Sequence, residues 1–208
     1  MRLTLSMASF GRPQRTIRAI NSIANQNIND WEALVIGDGC PVMKDYLDSG
    51  YFNDIRIECA NRGNDLYIDN NAVNQGGNGF AIINNNIQIA QGKYFVFFAN
   101  DDIILPNHFE NYLSQIERTD LDFVYFNSEV KPTNSLRIAQ LQYGSIGHSE
   151  LIVRTEFLKQ MPTHNEHYGH DWALIQSMMQ NGKHKKAENC PATYHVMSLS
   201  DKREQGID

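Results

Sequence analysis

Residues 93–110 read KYFVFFANDDIILPNHFE. Tyr94 to Phe98 is an unbroken run of aromatic and β-branched residues, the pattern of a buried strand. The run stops at Asn100-Asp101-Asp102, and apolar residues resume at once with Ile103, Ile104 and Leu105. Charge at that point does nothing for a core. Where strands lie parallel in an open sheet, however, ligands bind beyond their carboxyl ends. The spacing therefore predicts a core strand that delivers an acidic pair to a ligand crevice.

The flanking sequence supports that sheet. Upstream, LTLSMASF from Leu3 reads as a strand, and RPQRTIRAINSIANQ as a helix with Ile17, Ile20 and Ala24 on one face. Pro13 suits that helix's first turn. WEALVIGDGC is a second buried strand, ending in Gly37-Asp38-Gly39, and residues 54–60 a third. After a polar, glycine-rich loop over about 61–78, FAIINNNIQIAQG predicts a helix with Ile83, Ile87 and Ala90 on one face, stopped at Gly92. Downstream, PNHFENYLSQIER is a helix started by Pro106, and LDFVYFNSEV another strand. Strands alternating with helices imply a mostly parallel central sheet flanked by helices. The C-terminal part is less regular, with GSIGHSELIVRTEF, a helix HDWALIQSMMQNG and a strand-like KAENCPATYHVM.

The chain has 208 residues, enough for one α/β domain with a full core. Its formal net charge is −6, which gives no footprint for a nucleic-acid partner. Cys40, Cys59 and Cys190 are odd in number and not at metal-ligand spacing. A reduced, cytoplasmic setting is the expectation. No run reaches the length of a transmembrane or signal segment, so any membrane association is expected to be peripheral.

Several polar groups invite chemistry. Adjacent acids after a strand suit a hard divalent cation, Mg²⁺ or Mn²⁺, which takes oxygen ligands and bridges to phosphate. They also suit the capping of a turn or helix. Asp38 sits between glycines that permit close ligand approach, and is equally an ordinary turn residue. His164, Glu166, His167, His170 and Asp171 cluster before a helix, at spacings that match no zinc motif. Asp171 reads either as a favourable charge at a helix start or as a general base. His148 and His195 stand alone. NQGGNG lacks the lysine of a phosphate loop and the spacing of a dinucleotide loop.

Taken in order, these pieces resemble family 2 glycosyltransferases of the GT-A, Rossmann-like fold. Ser22-Ile23-Ala24-Asn25-Gln26 matches the family's SIxxQ helix, EALVIGDGC its EIIVVDDGS, and INNNIQIAQGKYFVFFANDD its ARNxGIxxAxGxYIxFLDxDD. GHDWALIQSMMQNG is similar to xEDWDLxLRLxxxG. The resemblance covers nearly the whole chain, and implies an inverting transfer from a nucleotide sugar, UDP-linked in the first instance, to a glycan or other hydroxyl acceptor. It divides the single domain into a nucleotide-binding half, 1–102, and an acceptor-binding half, 103–208. It puts Ser9, Arg12, Asp38, Asn84, Asn100 and Asp101 on the nucleotide side. Asp101 and Asp102, with His195, become ligands of Mn²⁺ or Mg²⁺, Asp171 the base, and His148 and His170 acceptor contacts. The chain departs from the pattern at Ala99 and Gly37, which replace acids, at Ile83, which replaces an arginine, and at His170, which replaces a glutamate.

Two other enzyme classes fit less well. A sugar nucleotidyltransferase needs a glycine-rich basic loop near the N-terminus, and SFGRPQRTIR has one glycine. A phosphatase with an aspartyl nucleophile needs its D-x-D after the first strand, which LTLSMASF lacks. A domain that binds nucleotide or glycan without turnover is the non-enzymatic alternative.

Overall fold

The structure is a computed structural model, and it describes residues 1–9, 13–37, 49, 57–61, 79–131, 135–162, 169–188 and 192–195. Its strands are β1 (Leu3–Ser9), β2 (Trp31–Gly37), β3 (Ile57–Asn61), β4 (Tyr94–Phe97), β5 (Phe123–Tyr125), β6 (Ser128–Lys131), β7 (Ser135–Arg137), β8 (Leu151–Arg154), β9 (His184–Lys186) and β10 (Ala192–His195). Its helices are α1 (Pro13–Ala24), α2 (Phe80–Ile89), α3 (His108–Ile116), α4 (Thr155–Leu158) and α5 (His170–Asn181), with a 3-10 turn at His148–Glu150. The main sheet runs β3-β2-β1-β4-β8-β5-β9, and a small second sheet runs β10-β6-β7. Strands β3, β2, β1 and β4 are parallel, as are β5 and β9. Strand β8 runs antiparallel between β4 and β5.

Strand β4 shows why its sequence is apolar throughout. Tyr94, Val96 and Phe98 face a core layer with Ala19, Ile20 and Ile23 of α1 and Phe109, Tyr112 and Leu113 of α3. Phe95 and Phe97 face the other layer, with Ile87 of α2 and Leu174, Ile175 and Met178 of α5. A strand covered by helices on both faces has no solvent side to make polar. Register then sets depth. Ser6 pairs with Phe97 and Ser9 with Gly37, so β1 and β2 end beside the turn that follows β4.

Several expected boundaries move, each for a local reason. The apolar face of α1 is Ala19, Ile20 and Ile23 with Arg15 and Thr16 also buried, whereas Ile17 and Ala24 lie at its margin. Helix α2 ends at Ile89, not at Gly92. Gly92 serves a close approach instead, since a Cβ there would lie 2.4 Å from the backbone of Leu3 and Thr4. Pro106 does not begin α3. It precedes Asn107, whose φ is 64°, in a turn closed by the His108 N–H on the Leu105 carbonyl at 3.3 Å. Proline then a positive-φ residue is the demand of a type II turn. The segment LDFVYFNSEV breaks into β5 and β6, which belong to different sheets. At the break, the Phe126 N–H bonds Glu150 and Asn127 Oδ1 accepts the Ala139 N–H. Among the described residues no helix is long and apolar enough to cross a membrane.

Candidate active site

A cleft of about 320 Å³ opens at the carboxyl ends of β1 and β4. Asp101 enters it from the turn after β4, His148 and Ser149 from the 3-10 turn before β8, and His170 and Asp171 from the first turn of α5. Phe97 and Ile83 form apolar wall. Residues far apart in sequence therefore meet where an open parallel sheet places ligands.

The two adjacent acids have different environments. Asp101 faces the cleft, with Arg15 Nη1 3.8 Å from its Oδ2. Asp102 is 4% exposed and turned into the protein, where Ser149 Oγ donates to its Oδ2 at 2.6 Å. Burial pushes the Asp102 carboxyl up to about 8. The Ser149 bond works against that rise, and the neighbouring charge of Asp101 adds to it. The two carboxylates therefore have separate partners, Arg15 for Asp101 and Ser149 for Asp102. Asp102 ties the acidic turn to the 3-10 turn.

Asn100 lines the cleft, and Ser9 lies outside its lining. Ser9 is fully buried, its hydroxyl 2.7 Å from that of Thr16, and Asn100 Nδ2 donates to Ser9 at 3.4 Å and Thr16 at 3.3 Å. These groups hold the start of α1 against the acidic turn. Asn84 lies on α2 outside the cleft lining. His195 ends β10, paired with Lys131 of the small sheet. Its side chain, and Arg12, Asp38, His164, Glu166 and His167 entirely, lie outside the described residues.

His148 stacks on Phe97, centroids 4.4 Å apart and planes at 21°, with His170 5.7 Å away. Loss of water brings the His148 ring down to about 3. The nearby His170 adds to this, and a backbone hydrogen bond with Asp171 opposes it. Burial also lowers His170, against the pull of Asp171. Both rings are neutral near pH 7, which suits them to hydrogen-bond hydroxyls rather than to hold anions. Asp171 lies in the first turn of its helix, where a carboxylate is favoured. Gly169 occupies the cap position at φ 89°, and Asp171 Oδ1 accepts the Trp172 N–H at 2.8 Å.

The sequence reading missed Arg15 and Ser149. Arg15 sits in the first turn of α1, beside the acids in space and far from them in the chain. Ser149 is next to His148, and only the packing of β8 on β4 brings it to Asp102. The SIxxQ pattern acquires a physical role. Ser22 Oγ accepts the Ile104 N–H, while Gln26 donates to the Leu105 carbonyl and accepts the Phe109 N–H. The motif clamps the chain just beyond the acidic turn.

The sequence profile of the family described as Glycosyl transferase family 2 matches residues 4–179, which include every element that lines this cleft. The chain belongs to glycosyl transferase family 2. Among its relatives, WcaA of Escherichia coli K12, which carries the name of a colanic acid biosynthesis glycosyl transferase, is 30% identical over 62% of this chain and 43% of WcaA. WfgD of Escherichia coli, named a UDP-Glc:alpha-D-GlcNAc-diphosphoundecaprenol beta-1,3-glucosyltransferase, is 24% identical over 64% of this chain and 48% of WfgD. The matches thus span less than half the length of these relatives. In fold, the chain is similar to residues 1–349 of TarS from S. aureus, with a TM-score of 0.74 at 16% identity, over 99% of this chain and 63% of that one. It is also similar to the mannosyltransferase PcManGT of Pyrobaculum calidifontis in complex with GDP-Man and Mn²⁺, with a TM-score of 0.68 at 12% identity, over 97% and 59% of the two chains.

Proposed function

We propose that this family 2 member transfers a sugar from a UDP-linked donor to a hydroxyl of a glycan acceptor, with inversion at the anomeric carbon. The observation that carries the reading is the meeting of Asp101 and Asp171 in one cleft, from the end of β4 and the start of α5. WfgD uses UDP-Glc by its name, and TarS has been solved with UDP-GlcNAc, which supports a UDP-linked donor. The colanic acid assignment of WcaA supports polysaccharide synthesis.

In this reading the nucleotide lies over the ends of β1 and β2, with Asp38 on the base and Arg12 beside the phosphates. The acceptor enters from the side of the 3-10 turn and α5, where His148 and His170 bond its hydroxyls. Asp171 takes the proton of the attacking hydroxyl. The acceptor oxygen bonds the anomeric carbon as the bond to the diphosphate breaks, and the electron pair leaves with UDP. Attack opposite the leaving group inverts the centre.

The donor set fits a divalent cation only in part. Among the described residues no group of three or more His, Cys, Asp or Glu is arranged to hold one. Mg²⁺ and Mn²⁺, however, commonly take one or two carboxylates and complete their shell with phosphate oxygens and water. Asp101 alone meets that need, without Asp102. An ion held there would offset the charge that builds on the departing diphosphate.

The test is sugar release from UDP-glucose, UDP-N-acetylglucosamine and GDP-mannose, with and without Mn²⁺, beside calorimetric UDP binding. Turnover of a UDP sugar, stimulated by Mn²⁺ and lost in Asp101→Asn, is expected. UDP binding without turnover of any donor would make the domain a binding module.

A further inference from the structure

We propose that Tyr143 and Trp172 form a carbohydrate shelf at the acceptor end of the cleft, where one pyranose ring of the acceptor glycan lies on aromatic surface. The proposal rests on the glycosyl-transfer reading of the cleft. Tyr143 is 61% exposed, on the loop that leads from β7 to the 3-10 turn carrying His148. Its ring meets the ring of Trp172 at a centroid distance of 6.3 Å and an angle of 79°. Two rings at near right angles make a corner, with one as floor and the other as wall. Single apolar side chains at a surface are ordinary, but an ordered aromatic pair beside a polar cleft has a defined shape.

The corner is anchored to the reacting groups. Trp172 follows Asp171 directly, and part of it packs on the core layer of Leu174, Ile175 and Met178. A Cβ on Gly169 would lie 3.6 Å from Tyr143 Cε2, so the tyrosine ring rests on the backbone that starts α5. At φ 89° Gly169 adopts a conformation few other residues take, which fixes how the chain enters α5 beside the ring. His170 and Asp171 come next in the chain and line the cleft.

The chemistry selects the ligand. A pyranose chair carries C–H bonds on its faces and hydroxyls around its rim. The face packs on an aromatic ring, whose π surface is negative, and the rim reaches water or hydrogen-bonding groups. The neutral rings of His148 and His170 supply such groups inside the cleft. A nucleotide base would also stack, but the diphosphate side is at Asp101 and Arg15, on the turn after β4 and on α1. Leu136 and Ile138, exposed near the β7 edge, are not part of the aromatic pair.

Trp172 provides the readout, because the other tryptophan, Trp31, is 1% exposed in the core. Fluorescence is followed while cellotriose, maltotriose and chitotriose are titrated into the chain saturated with UDP. A saturable change with at least one trisaccharide is expected in the wild type. Tyr143→Ala should weaken it about tenfold, and Tyr143→Phe, which keeps the ring, should stay within about twofold. Affinities for UDP and UDP-glucose, by calorimetry, should match in all three proteins, as should melting temperatures. Equal trisaccharide affinity in Tyr143→Ala, or no saturable change in the wild type while UDP binds, overturns the shelf. A loss of UDP-glucose affinity in Tyr143→Ala gives the ring to the donor and equally overturns it. A Tyr143-dependent trisaccharide signal in a chain that binds no UDP leaves the shelf standing and overturns the nucleotide-sugar reading.

Discussion

Asp101 and Asp102 are neighbours in the chain, yet one faces the cleft and the other faces Ser149. That split decides which acid can meet a ligand. Asp171 has two roles to separate, a first-turn charge that accepts the Trp172 N–H and a base at the cleft. Gly169 is the cap of α5, so Asp171→Asn keeps the helix and should cost less than about 1 kcal/mol of stability. The same change should lower the transfer rate by about two to four orders of magnitude with UDP affinity intact, if the carboxylate is the base. Wild-type turnover by this variant removes Asp171 from the chemistry. His108 supports a pH prediction. It is 3% exposed among Phe109, Tyr112 and Phe126, and burial holds its ring well below the ordinary histidine range. The unfolded chain takes up this proton near pH 6.5 while the folded chain does not. Stability is therefore full above that pH and falls as acid is added, by up to about 1.4 kcal/mol per pH unit for this group. Below pH 6.5 the buried His148 adds a loss of the same sign, and the raised carboxyl of Asp102 adds an opposing gain as pH falls from about 8. His108 is therefore read by difference in melting temperature: the stability of His108→Phe relative to the wild type should rise as pH falls from about 6.5 to about 5. An unchanged profile in the variant would place the acid sensitivity elsewhere.

At the scale of elements, the clamp from α1 to the start of α3 orients the acidic turn. Gln26 is buried, and its amide joins the Ser22 and Leu105 carbonyls to the Phe109 N–H. Gln26→Ala strands a buried donor and a buried acceptor, each costing about 1–3 kcal/mol. A loss in that range is expected in urea unfolding. Looser seating of the 101–109 segment should also weaken Mn²⁺-dependent UDP binding more than metal-free binding. Equal weakening of both would reduce the clamp to a general stabiliser. The apolar run of β4 is legible in the sequence alone, because a strand covered on both faces must be apolar at every position. The break between β5 and β6 is not. Phe126 and Ser128 continue the apolar and small-residue pattern, and the split depends on Glu150, whose buried carboxylate accepts from Ser128 Oγ and the Gly147 N–H.

For the molecule as a whole, Asp102 and Ser149 join the parallel part of the sheet to the segment that enters antiparallel β8. Two core layers lie on opposite faces of that one sheet, with Trp31 in the first and Trp172 against the second. Since β4 contributes to both layers, they should melt together. The fluorescence of Trp172→Phe, which reports Trp31 alone, and far-UV circular dichroism should give coincident urea transitions. Separate midpoints would mean two units rather than one. Ser149→Ala should lower the stability read from that shared transition by about 1–3 kcal/mol, because it takes the Ser149 donor from the buried Asp102.

The sequence by itself determined the order of elements from β1 to α3, the parallel character of β1, β2 and β4, and the strand end where Asp101 sits. These follow from local periodicity and from the rule that parallel sheets bind ligands at their carboxyl ends. Its ordered motifs also carried the family. Tertiary structure alone decided which of two adjacent carboxylates faces the cleft, that Ser9 and Asn100 brace α1, and that Arg15 lies beside Asp101. It alone set Tyr143 against Trp172. The physical reason is the same in each case. A side chain's direction is set by what packs around it, and for these residues the neighbours arrive from distant elements of the chain.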